Sequence, residues 1–197
     1  MGFAIAAEAA RRGHDVTLIA GPVTLKTPKG VERVDVTSAR EMLKASLEGL
    51  GSLGGLEKVV FISTAAVADW RPAKCAAKKL KKGEMSGVLK LVRNPDILKT
   101  VDSYRKQSKA VGLRLVGFAA ETDHVLGEAA RKCREKGLEF IVANDVTKKG
   151  CGFGTDTNRV TFVFPDGTLK KFPLMTKRMV AKRILDAVSS VAGDREG

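Results

Sequence analysis

Residues 113–146 read LRLVGFAAETDHVLGEAARKCREKGLEFIVANDV, and this stretch decides the fold. LRLVGFA at 113–119 is a buried apolar run, LEFIVANDV at 138–146 is another, and the segment between them carries helical periodicity from roughly 122 to 136. A strand, a helix of more than ten residues and a second strand form a unit that pairs its strands in parallel. The same alternation extends outward. KVVFIST at 58–64 is a continuous apolar run that suits a parallel strand covered on both faces, and it reads as the centre of the sheet. Upstream lie a helix through Phe3, Ile5, Ala6, Ala9 and Ala10 to Gly13, a strand at 16–20, a strand at 31–36 and a helix opened by the capping box Ser38-Ala-Arg-Glu41. GVLKLV at 87–92 alternates as a strand. Asn94-Pro95-Asp96 then supplies an N-cap, a first-turn proline and an acid favoured by the helix dipole. RVTFVF and LKKFPL flank Pro165-Asp166-Gly167 as a hairpin, and a basic helix runs from Thr176 to about Val191. The fold class is α/β: a doubly wound, mainly parallel sheet with helices on both faces and a C-terminal β-hairpin. Its 197 residues suit a single domain.

Composition removes several classes of function. No apolar run approaches the roughly 18–20 residues of a membrane span, and residues 1–12 lack the order of a secretory signal, so a cytoplasmic protein is expected. Cys75, Cys133 and Cys151 are widely spaced and odd in number, which predicts reduced thiols and neither a disulfide framework nor a zinc site. A formal net charge of +13 calls for an anionic partner or at least a solubility role. The positives gather in one strip, Arg71, Lys74, Lys78, Lys79, Lys81 and Lys82, with no acid between them. A nucleic-acid-binding module is a standing alternative, disfavoured by 5% aromatics and by charge concentrated in one flap and not along a groove. A nicotinamide oxidoreductase is disfavoured too, because the glycines of 150–154 open no helix.

Open α/β sheets bind ligands past the carboxyl ends of their strands. After 58–64 come Ala65, Ala66, Val67 and Ala68, small enough for a ligand to reach the backbone, and Asp69, which can accept hydrogen bonds. The alternative is a tightly packed strand exit. The Lys78–Lys82 cluster suits a flap, about 71–87, that folds over phosphates, although a lysine run also suits a solvated face. Asn94 to Ile97 open a helix whose free amides suit a phosphate or a nucleotide carbonyl. Phe118 follows a buried strand where an aromatic can flank a base, with core packing as its rival account. Lys132 and Lys136, four apart, share a helix face. Asn144 and Asp145 end the last long strand.

Taken in order, GPVTLKTPKGVERVDVTSAREM at 21–42, AAVADWRP at 65–72, KKLKK at 78–82, NPDIL at 94–98, VGFAAET at 116–122, VANDV at 142–146 and FGTDTN at 153–158 resemble the phosphopantothenate–cysteine ligase family, bacterial type. The resemblance implies a Rossmann-like homodimer that uses CTP and magnesium (Mg2+). In that family the carboxylate of 4′-phosphopantothenate attacks the α-phosphorus, giving an acyl-cytidylate and pyrophosphate; the amine of cysteine then displaces CMP. Carried over by position, the nucleotide contacts are Ser63, Thr64, Ala65, Asp69, Lys79, Pro95, Asp96, Ile97, Leu98, Phe118, Lys132 and Lys136. Lys79 is assigned the catalytic role of binding the triphosphate and stabilising charge at the α-phosphorus. An ATP-using relative stays open, since these motifs do not settle the base. The family's first strand, glycine-rich loop and a further Asn-x-Ser-Ser-Gly-Lys segment would precede Met1 and are absent from this sequence, as is the FMN-dependent decarboxylase domain fused upstream in bacterial members, so reduced activity is expected of this chain.

Overall fold

The computed structural model describes residues 1–56, 58–75, 78, 87–121, 126–145 and 154–193. Its elements run α1 (Gly2–Arg11), β1 (Thr17–Ala20), β2 (Glu32–Asp35), α2 (Ala39–Gly51), β3 (Val60–Ser63), β4 (Trp70–Pro72), β5 (Leu91–Arg93), α3 (Ile97–Gln107), β6 (Arg114–Glu121), α4 (Leu126–Glu135), β7 (Phe140–Asp145), β8 (Thr157–Asn158), β9 (Val160–Val163), β10 (Leu169–Lys171), β11 (Met175–Thr176) and α5 (Lys177–Gly193). A five-stranded sheet has the order β10-β9-β7-β6-β3. β3, β6 and β7 are parallel, while β9 and β10 return antiparallel as the expected hairpin. β1 and β2 form a separate parallel pair. The α/β class holds, and the helices cover both faces.

One face packs against α1 and α5, with Val116, Phe140, Val142, Phe162, Val180 and Ile184 fully buried between them. Phe140 stacks on Phe162 at 4.9 Å between ring centroids, and Phe172 closes on Phe162 at 4.7 Å. The opposite face packs against α2, α3 and α4 through Leu113, Leu115, Val101, Cys133 and Leu138. This alternation along β6 and β7 is what a strand buried on both faces requires.

β3 departs from the reading of 58–64 as the sheet centre. Among the described residues it lies at an edge, paired with β6 alone, and Val60 is 37% exposed. β6 and β7 hold the centre instead. An apolar run reports that both faces of a strand meet helices; it carries no information about whether both of its edges are paired. The strand expected at 87–92 is also displaced, to residues 91–93, leaving Val88 and Leu89 exposed.

The Ser38 cap forms as expected, its hydroxyl accepting from the Glu41 amide at 3.2 Å. The Glu41 carboxylate reaches one residue beyond the usual box, accepting from the amide and hydroxyl of Thr37. Cys75 is exposed and Cys133 buried, neither in a disulfide; burial, chiefly, pushes the Cys133 thiol up to about 12. Cys151 lies outside the described residues.

α1 is stapled to α5 through Glu8. This buried carboxylate accepts from Arg11 at 2.6 and 2.9 Å and from Arg12 at 3.0 Å, and Arg12 also meets Asp186 of α5 at 2.8 Å. The Arg11 hydrogen bonds, reinforced by Arg12, outweigh burial and hold the Glu8 carboxyl at about 2, against an ordinary value of 4.5. A depressed carboxylate stabilises the fold above its unfolded value and loses that contribution as pH falls toward its folded one. The melting temperature is therefore expected to drop between pH 4.5 and about 2 more steeply in the wild type than in Glu8→Gln. Parallel pH–melting curves for the two proteins would refute this role.

Candidate functional site

Past the carboxyl end of β3 the chain runs through small residues to Asp69 and enters β4, which pairs antiparallel with β5 to make a ribbon, Trp70 opposite Arg93. The Arg93 guanidinium lies 5.1 Å from the Trp70 ring centroid. Beyond β5, Asn94 ties both arms of the ribbon together. Its side-chain amide donates to the Ala68 carbonyl at 2.7 Å, its backbone amide donates to the Asp69 carbonyl at 2.7 Å, and its side-chain oxygen accepts from Arg71 at 3.1 Å. Arg71 also donates to the Arg93 carbonyl.

The helix that follows starts two residues later than the sequence suggests. Asp96, not Asn94, is the N-cap of α3; its carboxylate accepts from the Lys99 amide at 3.1 Å. The Asn94 side chain is committed to the ribbon through both its oxygen and its nitrogen, so it is not free to cap the helix.

These segments enclose a cleft of about 590 Å³ that is lined by Ser63, Ala65 to Trp70, Arg93 to Leu98, Phe118 and Lys136. Phe118 reaches it because β3 pairs with β6 only as far as Ser63 opposite Gly117, so the next residue of β6 projects past the end of its neighbour. Lys136 enters from the turn after α4, its ammonium 2.8 Å from the Asp96 carboxylate. Burial works to raise the Asp96 pKa, but hydrogen bonds from Lys136 and the Lys99 amide prevail and hold it below the ordinary carboxylate range.

Of the residues singled out in the sequence, Ser63, Ala65, Asp69, Pro95, Asp96, Ile97, Leu98, Phe118 and Lys136 meet in this cleft. Thr64 and Lys132 lie outside its lining. Thr64 abuts the start of α1, where a Cβ on Gly2 would meet its hydroxyl at 2.7 Å. Lys132 is 3.4 Å from Glu128 on its own helix. Lys79 lies outside the described residues, as does most of the flap; Lys78 is exposed. Asn144 is not in the lining either, and its buried side-chain oxygen has no hydrogen-bond partner among the described residues. Sequence reasoning missed Arg71, Arg93 and Asn94 as the frame of the site. The one available signal was the Asn-Pro step itself.

The chemistry of the cleft is uneven. At α3 the positive helix terminus is already met by the Asp96 carboxylate, which would repel a phosphate placed there. The backbone polar groups of 65–69 and 94–98 suit the edges of a base or sugar better. A second cleft, of about 720 Å³, lies around the C-terminal ends of α3 and α4 between Arg105, Lys109, Arg134 and Pro165. It contains none of the nucleotide contacts carried over from the sequence and lies away from the carboxyl ends of the strands. No helix among the described residues is long and apolar enough to cross a membrane.

Comparison with known proteins agrees with this fold. The family model of the DNA/pantothenate metabolism flavoprotein C-terminal domain matches residues 1–191. The coenzyme A biosynthesis bifunctional protein CoaBC of Escherichia coli (strain K12) is 42% identical over 191 residues, which cover 95% of this chain and 45% of that protein. CoaBC of Bacillus subtilis (strain 168) is 42% identical over 193 residues, covering 98% of this chain and 45% of its own length. Among solved structures, the C-terminal domain of a CoaBC protein superimposes with a TM-score of 0.77 at 38% identity, covering 98% of this chain and 84% of that one. The chain spans less than half the length of the curated relatives it matches. It belongs to the family of DNA/pantothenate metabolism flavoprotein C-terminal domains.

Proposed function

We propose that this chain is the phosphopantothenate–cysteine ligase domain of coenzyme A biosynthesis, joining 4′-phosphopantothenate to cysteine at the expense of CTP. The observation that carries the reading is the meeting of four separate parts of the chain, Ser63 with Ala65 to Trp70, Arg93 to Leu98, Phe118 and Lys136, in one cleft past the strand ends. The exit from β3, the start of α3 and Phe118 would enclose the nucleoside. The triphosphate would point toward the lysine strip, with Lys79 the catalytic cation.

A free carboxylate is a poor acyl donor. Attack of the 4′-phosphopantothenate carboxylate on the α-phosphorus, with pyrophosphate leaving, gives a mixed anhydride. The cysteine amine then attacks its acyl carbon and CMP departs with the bonding pair. Clustered ammonium groups favour the first step by stabilising charge that grows on the leaving pyrophosphate.

Magnesium fits this cleft as an ion carried mainly by the nucleotide's phosphates. Among the described residues Asp69 is the lining carboxylate not held by an ion pair, since Asp96 is taken by Lys136. Asp69 would be its protein ligand, and the ion would supply charge neutralisation on the phosphates. A homodimer belongs to the same proposal, supported by the apolar surface that Trp70, Leu89 and Leu91 expose on and beside the ribbon. An upstream FMN-dependent decarboxylase domain in the native protein belongs to it as well.

Calorimetric titration with CTP and ATP tests the reading, together with CMP release in the presence of 4′-phosphopantothenate and cysteine. Saturable CTP binding that weakens at least tenfold in Lys79→Ala is expected, a loss of the size seen for a hydrogen bond to a charged group. A preference for ATP would move the assignment to an ATP-using relative. No saturable binding of either nucleotide would end it.

A further inference from the structure

Asp102 is a carboxylate in α3 that is only 4% exposed. It is gripped by two cations of its own helix, Arg105 on one oxygen and Lys106 at 2.6 Å on the other. Arg105 does more than neutralise it. The same guanidinium donates to the Gly137 carbonyl at 2.9 Å and to the Leu113 carbonyl at 3.2 Å. One side chain thus ties α3 to the turn after α4 and to the entry of β6.

The turn is built to take that grip. Gly137 has φ +58°, and a Cβ there would lie 2.3 Å from the Arg105 guanidinium and 2.6 Å from the Asp102 carboxylate. Only glycine lets the backbone press this closely on the ion pair in a left-handed conformation. The amides of Lys136, Gly137 and Leu138 are bonded back to the carbonyls of Lys132, Arg134 and Cys133, which closes α4. One residue before the gripped carbonyl stands Lys136, whose ammonium crosses to Asp96 in the cleft. Helix α3 therefore holds the Lys136–Gly137 step at two points: its N-cap takes the ammonium, and its third turn takes the carbonyl.

A buried ion pair contributes little net stability, because desolvation offsets the attraction between its charges. Its effect here is on where it holds the chain. We propose that Asp102 and Arg105 are positioning residues for the nucleotide cleft: through the Gly137 carbonyl they fix the turn that delivers the Lys136 ammonium to Asp96.

The consequence for nucleotide binding rests on the proposed function, but the positioning itself can be read without nucleotide. The test uses the full chain and carboxyl-detected NMR titration of Asp96. In Arg105→Gln the Asp96 pKa is expected to rise toward its ordinary value, in the direction Lys136→Ala gives, and adding Lys136→Ala is expected to raise it no further. A loss of stability without loss of the Lys136 contact would leave that titration at its wild-type position, and such a result overturns the proposal. Should Arg105→Gln fail to fold because Asp102 is left under-compensated, the neutral pair Asp102→Asn/Arg105→Gln replaces it in the same measurement. CTP affinity is expected to fall about tenfold in Arg105→Gln, the order of one hydrogen bond to a charged group. It should fall no more in the double variant with Lys136→Ala; additive losses would overturn the coupling. If the wild-type chain binds no CTP, the function is wrong and the Asp96 titration still decides the positioning.

Discussion

Asn94→Ala is expected to weaken CTP binding by about tenfold to a hundredfold while shifting the melting temperature only slightly. Asn94 uses both ends of its side chain, donating to the Ala68 carbonyl and accepting from Arg71. Its amide, which alanine would keep, bonds the Asp69 carbonyl. Residues 65–70 form one wall of the cleft and 93–98 the other, so losing the side-chain clamp lets the walls drift apart. A site that must meet a rigid base and sugar loses affinity steeply when its groups are misplaced by an ångström. The stability cost is small because Asn94 is no part of the buried core and its partners can turn to water. Asn94→Asp should fare little better, since a carboxylate cannot donate to the Ala68 carbonyl and would face it oxygen to oxygen. Calorimetry beside thermal melts separates the outcomes. Unchanged affinity in Asn94→Ala would mean that the ribbon's closure does not shape the site.

The same residue shows where the sequence is legible and where it is not. Asn-Pro-Asp before an amphipathic run announces a helix start, and α3 is there. Which of the three residues caps it depends on what Asn94 can reach across the ribbon, and that partner is 26 residues away at Ala68. Local pattern reading has no access to it. The edge position of β3 has the same origin: side chains record the faces of a strand, whereas pairing of its edges is a backbone matter. The central unit of residues 113–146 was legible because its apolar runs must meet helices on both sides; the order β3, β6, β7 was not, since it depends on which edges pair.

The site residues divide in a similar way. Those that follow a strand end or open a helix, such as Asp69 and Pro95, could be placed in a common cleft from topology alone, because doubly wound sheets put ligands there. Lys132 and Lys136 share a helix-like spacing, yet only Lys136 lines the cleft. The helix stops at Glu135 and Gly137 turns the chain, so the two ammonium groups part company. Periodicity predicts a shared face only while the helix lasts.

The sheet itself should respond to a different substitution. Phe140→Ala is expected to destabilise the fold by about 3–5 kcal/mol, the range for removing a fully buried aromatic ring. At this chain length that lowers the melting temperature by roughly 6 to 20 °C. Phe140 has no exposed surface, stacks on Phe162 and touches Phe164 with 5.6 Å between centroids. The void would open between the central strands and the layer of α1 and α5, where main-chain strands on one side prevent collapse. Nucleotide affinity of the folded protein should change little, because Phe140 opposes Val116 at the start of β7 and the cleft lies past the carboxyl end of β3. Among the described residues Phe118, which both packs on this core and lines the cleft, alone links the two. A melting temperature within about 2 °C of wild type, less than 1 kcal/mol would give, would contradict the packing of this layer. A parallel collapse of CTP affinity would show instead that core and site are one cooperative unit, with Phe118 as the joint.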